Sequence, residues 1–136
     1  MLTRKAPKRT RRNTGPTPET RELVARRADW TCELCQRHRA PFADWQYHHR
    51  QPRGMGGRRR AYVNQPSNLL LLCSDCHTTV ESRRAEALDN GWLVSRWGVP
   101  AETPVLIDHG SRWVYLTDDG RYADAPAPVG YPELTP

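Results

Sequence analysis

Two CxxC pairs, Cys32/Cys35 and Cys73/Cys76, stand 37 residues apart and constrain this chain more than any other feature. A two-residue spacer lets a tight turn aim both sulfurs of a pair at one point. Two such pairs supply the four thiolates of a tetrahedral zinc. Four protein ligands close the coordination sphere, so the expected zinc is structural and has no position open to a substrate. Two disulfides are the competing reading. No apolar stretch follows Met1 to act as a signal peptide, and nothing else in the chain points to an oxidising compartment, so zinc is the expectation and the chain is expected to be cytoplasmic. Redox chemistry at CxxC would need a βαβ context that is missing.

Residues 47 to 81 read YHHRQPRGMGGRRRAYVNQPSNLLLLCSDCHTTVE, which places His48, His49, Asn68 and His77 inside or beside the cysteine frame. Asn68 follows His49 by 19 residues, and His77 follows Asn68 by nine. The order HH, then N, then CH directly after a CxxC resembles the HNH endonucleases. The fuller run HHRQPRGMGG, SNLLLLC, CH, VESRR and GWLVSRW is similar to the small HNH proteins of actinobacterial phages and prophages. The resemblance covers about residues 30 to 97. It implies an α+β fold with a zinc-stabilised ββα-metal core, a hairpin packed on a helix around one divalent cation. An N-terminal helix and a C-terminal β-hairpin would be appended to that core.

Hydrolysis of a phosphodiester needs a base to activate water, a cation to stabilise the leaving 3′ oxygen, and a scaffold that keeps them aligned. The resemblance implies that His49 is the base, a task that neutral imidazole suits near pH 7. It implies that His48 and His77 hold the catalytic cation, and that Asn68 hydrogen-bonds backbone across the loop to fix the strand bearing the base. Glu81 lies one helical turn beyond His77, so both side chains share a face and both can reach one ion. A carboxylate hardens the site and shifts preference toward Mg²⁺ or Mn²⁺ over a second Zn²⁺.

Each of these residues has a plainer competing role. Consecutive strand residues point to opposite faces, so His48 and His49 converge on one phosphate only if the strand twists sharply or ends there. A lone His after CxxC also serves as a cap or as a group behind the ligands. Glu81 also reads as a solvated helix acid paired with Arg83 or Arg84. His38 and His109 read as surface or turn histidines.

Residues 50 to 60 carry Arg50, Arg53, Arg58, Arg59 and Arg60 around GMGG with no acid among them. Directly after the His pair, such a loop is expected to grip phosphates on both sides of the scissile bond. Solvated arginines are the alternative, since a GC-rich genome alone favours Arg and the only lysines are Lys5 and Lys8. The opening MLTRKAPKRTRRNTGP holds six basic residues, and removing them leaves 15 basic against 15 acidic, so this tail accounts for the formal charge of +6. Residues 1–16 are therefore expected to form a disordered basic tail able to contact a phosphate backbone.

The remainder reads as one domain over residues 17–122, followed by a disordered Pro-rich tail at 123–136. TPETRELVARRAD, residues 17–29, carries Thr17 as a cap candidate, Pro18 in the first turn and late arginines, which predicts a helix. Phe42 and Trp45 are expected to cover the zinc site. Leu69 to Leu72 predict a short strand. HTTVESRRAEALDNG predicts a helix ending at Asn90 and Gly91, with Val80, Ala87 and Leu88 facing the core. GWLVSRW and PVLI predict strands, and SRWVYLTDDGRYA a hairpin turning at Asp118 to Gly120. Apolar content of 37% and a mean hydropathy of −0.83 leave a modest core, for which a zinc would compensate.

The sequence thus supports a small endonuclease acting on DNA with a structural Zn²⁺ and a catalytic Mg²⁺ or Mn²⁺. The resemblance adds a phage or prophage setting and an association with the terminase in genome packaging. A zinc-dependent DNA-binding module without catalysis, and a host restriction or toxin nuclease, are the alternatives.

Overall fold

The computed structural model of the chain describes residues 6–7, 15–38, 44–52 and 62–131. Most of the expected basic tail, Phe42, and Arg53, Arg58, Arg59 and Arg60 of the Arg loop lie outside the described residues.

Helix α1, Pro18–Arg27, starts where the Thr17 side chain accepts a hydrogen bond from the Thr20 amide, with Pro18 in the first turn and Arg26 and Arg27 in the last. Strands β1, Gln46–His49, and β2, Leu69–Leu72, pair antiparallel, with Tyr47 opposite Leu71 and His48 opposite Leu70. All four leucines of β2 are fully buried. The period of two divides them, because Leu69 and Leu71 pack with Val24, Ala25 and Ala28 of the α1 layer. Leu70 and Leu72 join Val80, Ala87, Leu93, Val105, Ile107, Val114 and Leu116 on the other face. A strand covered on both faces reads as a continuous apolar run, which is why SNLLLLC shows no alternation.

The chain next forms α2, Ser74–Ser82, and α3, Arg84–Asp89. One continuous helix was expected here. Arg83, at φ −118° and ψ 66°, leaves the helical region between them. The bend lets Val80 before it and Ala87 after it both reach the core, and the surrounding ESRRAE contains no Gly or Pro to announce it. Leu88, expected in the core, is instead 45% exposed. The expected strand at GWLVSRW is also absent, since residues 91–97 are irregular, with turns at Gly91 and at Arg96 and Trp97. Their backbone groups are taken by tertiary partners rather than by a ladder: the Leu93 amide donates to the Ala87 carbonyl and the Val94 amide to that of Arg50. Gly91 ends the preceding helix at φ 72°, where a Cβ would lie 1.9 Å from the Pro104 carbonyl oxygen.

Strands β3, Val105–Ile107, β4, Arg112–Leu116, and β5, Tyr122–Asp124, form a second antiparallel sheet in that order, with the β4–β5 turn where the sequence places it. The expected domain boundary at residue 122 falls inside β5, and Tyr131 meets Trp113 with ring centroids 5.5 Å apart. The architecture is α+β, with three α-helices and two small sheets among the described residues.

A buried ion pair joins the parts. Arg27 Nε and Nη2 donate to the two oxygens of Glu33 at 2.8 and 3.0 Å, while its Nη1 and Nη2 also reach the carbonyls of Pro66 and Leu69. Glu33 further accepts from the Leu71 amide and from the Tyr122 hydroxyl. Every nitrogen and oxygen of the two charged groups at this centre has a partner, the condition under which buried charge is tolerated. It ties α1, the first cysteine turn, β2 and β5 into one body.

Candidate active site

The first cysteine pair sits in the turns after α1, and the second spans the start of α2, where the Cys73 sulfur accepts from the Cys76 amide at 3.5 Å. One donor atom from each of the four cysteines lies within 4.8 Å of the others, and none of them forms a disulfide. The Cys35 and Cys73 sulfurs are 3.7 Å apart. A tetrahedral ion with metal–sulfur bonds of about 2.3 Å sets the sulfurs about 3.8 Å apart, whereas a disulfide needs about 2.05 Å. The four side chains therefore fit a metal site. Burial pushes the Cys32 thiol up to about 11. Burial also acts to raise Cys73, but hydrogen bonds from Cys76 and from the neighbouring thiols outweigh it and hold that thiol below its ordinary value.

Beside this cluster is an open cleft of about 480 Å³ lined by residues 46 to 49 of β1 and by Pro52, His77, Glu81, Arg84 and Leu93. Strand β1 ends at His49, which allows the two consecutive histidines to line the same cleft. Their outer nitrogens are held differently. His48 is buried, and its Nε2 lies 2.9 Å from the Trp92 carbonyl. A carbonyl only accepts, so Nε2 carries the hydrogen and Nδ1 carries the lone pair. Burial, with some opposition from the Trp92 carbonyl, pushes its pKa down to about 4, so this imidazole is neutral at pH 7. His49 Nε2 lies 2.8 Å from the side-chain oxygen of Asn64, which leaves Nδ1 as its basic nitrogen.

His77 follows Cys76 on α2 and meets His48 edge to face at 5.4 Å between ring centroids. Its Nε2 is 3.2 Å from Glu81 Oε1, one turn further along the same face. Neighbouring ligands on an octahedral cation with bonds of about 2.1 Å are about 3 Å apart, so this pair suits a shared ion as well as a hydrogen bond. Arg83, one candidate partner for Glu81, pairs with Glu86 instead, while Arg84 faces the cleft. Among the described residues the four cysteines are the group whose donor atoms are gathered closely enough to hold one ion, while His48, His77 and Glu81 line the cleft without forming such a group.

Asn68 is fully buried and hydrogen-bonds the backbone across the loop. Its oxygen accepts from the Gln51 amide at 2.8 Å, and its nitrogen donates to the carbonyls of Gln51 and Val63 at 3.0 and 2.8 Å.

Arg50 overturns its expected place in a phosphate grip. It is fully buried, with its guanidinium donating to the carbonyls of Gly91, Ser67, Pro100 and Thr103. Burial lowers it to about 9, still protonated at neutral pH. One guanidinium thereby ties together three chain segments, at Ser67, Gly91 and Pro100 to Thr103, beside the end of β1. Composition could not separate it from the other arginines of residues 50 to 60. Asn64 and the Trp92 carbonyl were missed as well, because Asn64 sits in an ordinary turn sequence and a carbonyl has no sequence signature.

No curated protein and no solved structure matches the chain. The family model of the HNH endonucleases matches residues 32–83, a stretch that contains both cysteine pairs, His48, His49, Asn68, His77 and Glu81.

Proposed function

We propose that the chain is a metal-dependent endonuclease that hydrolyses DNA phosphodiester bonds, with zinc on its four cysteines and a second divalent cation in the cleft. The observation that carries this reading is the convergence of His48, His49, His77 and Glu81 on one open cleft beside the cysteine cluster. In this reading His49 Nδ1 takes the proton of the attacking water, while Asn64 keeps the hydrogen on Nε2 and holds the ring. His48, fixed by Trp92, offers its neutral Nδ1 to the cation, and His77 and Glu81 offer the other ligands. A bound Mg²⁺ or Mn²⁺ would supply Lewis-acid stabilisation of the leaving oxygen. Asn68 and Arg50 position the strand without touching the substrate. Arg84, together with Arg53, Arg58, Arg59 and Arg60, supplies phosphate contacts. The sequence resemblance is the ground for placing the enzyme in a phage or prophage and near a packaging terminase.

The test is cleavage of supercoiled plasmid with Mg²⁺, Mn²⁺, Ni²⁺ or Zn²⁺. The wild type converts plasmid to nicked or linear DNA, and His49→Ala lowers turnover by about two to four orders of magnitude while DNA binding and cation affinity persist. His77→Ala weakens the catalytic cation by calorimetry and is partly rescued by excess Mn²⁺. Binding without cleavage by any of these cations would favour the non-catalytic DNA-binding module.

A further inference from the structure

Trp97 is 80% exposed, and the guanidinium of Arg96 lies 4.3 Å from its ring centroid. An indole so far out in water adds little to the core, yet the turn that carries it is held firmly. The Gly98 amide donates to the Ser95 carbonyl at 2.9 Å, and the Gln51 side chain donates to the carbonyls of Ser95 and Gly98 at 2.8 and 3.0 Å. A Cβ on Gly98 would come within 2.8 Å of Val94, so the turn is also tightly packed beneath.

This turn continues the chain segment that lines the cleft at Leu93. The same segment supplies Leu93 to the cleft and the Trp92 carbonyl to His48, and Gln51 lies between Arg50 and the cleft residue Pro52. From Gly91 to Pro100 the only charged residue is Arg96. With the cation on one face and most of the ring in water, the other face of Trp97 is open to a planar partner. A rigid indole backed by a cation, beside a cleft for phosphodiesters, matches the chemistry of an unpaired base: π-stacking with an electrostatic hold on the backbone. A protein partner would be expected to need a wider apolar patch than one ring with Val99, at 41% exposure, beside it.

We propose that Trp97 and Arg96 form a stacking site for an unpaired base of a nucleic-acid strand that runs out of the cleft, an inference that rests on the cleft's being a nucleic-acid site. It gives the protein a preference for single-stranded, flapped or locally melted DNA over intact duplex.

The test measures equilibrium binding by fluorescence anisotropy, using zinc-loaded His49→Ala protein without added catalytic cation. Three probes are compared: a 20-nucleotide single strand, the same strand with a run of abasic positions, and the duplex. The normal strand is expected to bind about ten-fold more tightly than the abasic one. Adding Trp97→Ala removes that difference while leaving duplex binding and the slope of log affinity against log salt unchanged, and Trp97→Tyr restores most of it. Equal affinity for normal and abasic strands overturns the proposal, and so does an equal loss on duplex and single strand in Trp97→Ala. The abasic comparison needs no change at Trp97, so a misfolded variant does not shield the idea. Plasmid cleavage with no base-dependent binding would remove this site alone, whereas base-dependent binding with no cleavage would remove the nuclease reading alone.

Discussion

Asn68 and Gln51 hold each other reciprocally across 17 residues of chain, the Gln51 amide donating to the Asn68 side-chain oxygen at 2.8 Å and the Asn68 amide group donating back to the Gln51 carbonyl at 3.0 Å. The pair closes the connection between β1 and β2 at the point where β1 delivers His49. Asn68→Ala leaves a buried amide and two carbonyls without partners, so it should cost about 2–4 kcal/mol of stability as well as activity. Asn68→Asp keeps the acceptor but loses both donations, and should be no milder. Urea unfolding checks this, and unchanged midpoints for both variants would show that the clamp does not hold the loop.

Four thiols brought within 4.8 Å hold a domain whose apolar core is thin. Metal analysis should return about one tightly bound zinc per chain. Cys35→Ser, or prolonged exposure to a strong chelator, should abolish cooperative unfolding. A melting curve that stays the same after complete zinc removal would rule out a structural role for the ion.

Arg50 and the arginines after it should behave as opposites. Arg50→Met leaves four carbonyls without their donor, and about 3 kcal/mol or more of stability should be lost, with DNA binding affected only through folding. Replacing Arg58, Arg59 and Arg60 together with Ala should leave the melting temperature nearly unchanged while flattening the slope of log affinity against log salt. An unaltered slope would mean that those three side chains make no phosphate contact.

His48 makes the fold sensitive to acid. Its pKa falls from 6.5 to about 4 on folding, chiefly through burial. Above pH 6.5 both the folded and unfolded chains leave it neutral, and this group contributes no pH dependence. Between 6.5 and 4 the unfolded chain takes up a proton that the folded chain refuses, so stability falls as pH falls, by at most about 3 kcal/mol from this residue. Nitrogen-15 NMR of the imidazoles should find His48 still neutral at pH 5, with the hydrogen on Nε2. A titration midpoint near 6.5 would contradict the buried, Trp92-bound ring.

The chemistry of this protein is local in its sequence, and that is why so much of it can be read there. The cysteine spacing determines a two-turn metal site because a CxxC turn aims its sulfurs whatever surrounds it. The i, i+4 relation of His77 and Glu81 follows from helical pitch alone. Thr17 with Pro18 announces α1, and the Asp118–Gly120 turn announces the last hairpin, because caps and turns are decided within a few residues. Tertiary structure decided what depends on distant partners. Arg50 looked like the first arginine of a phosphate-binding loop, and only the folding of Ser67, Gly91, Pro100 and Thr103 around it makes it a buried strut. The break at Arg83 has no Gly or Pro behind it; it is set by the requirement that Val80 and Ala87 reach the same core. Gly91 to Trp97 has the composition of a strand, but the Leu93 and Val94 amides are claimed by the carbonyls of Ala87 and Arg50 rather than by a ladder. The nitrogen that each cleft histidine presents is settled by Trp92 and Asn64, because a tautomer is chosen by whichever acceptor the fold brings to the ring.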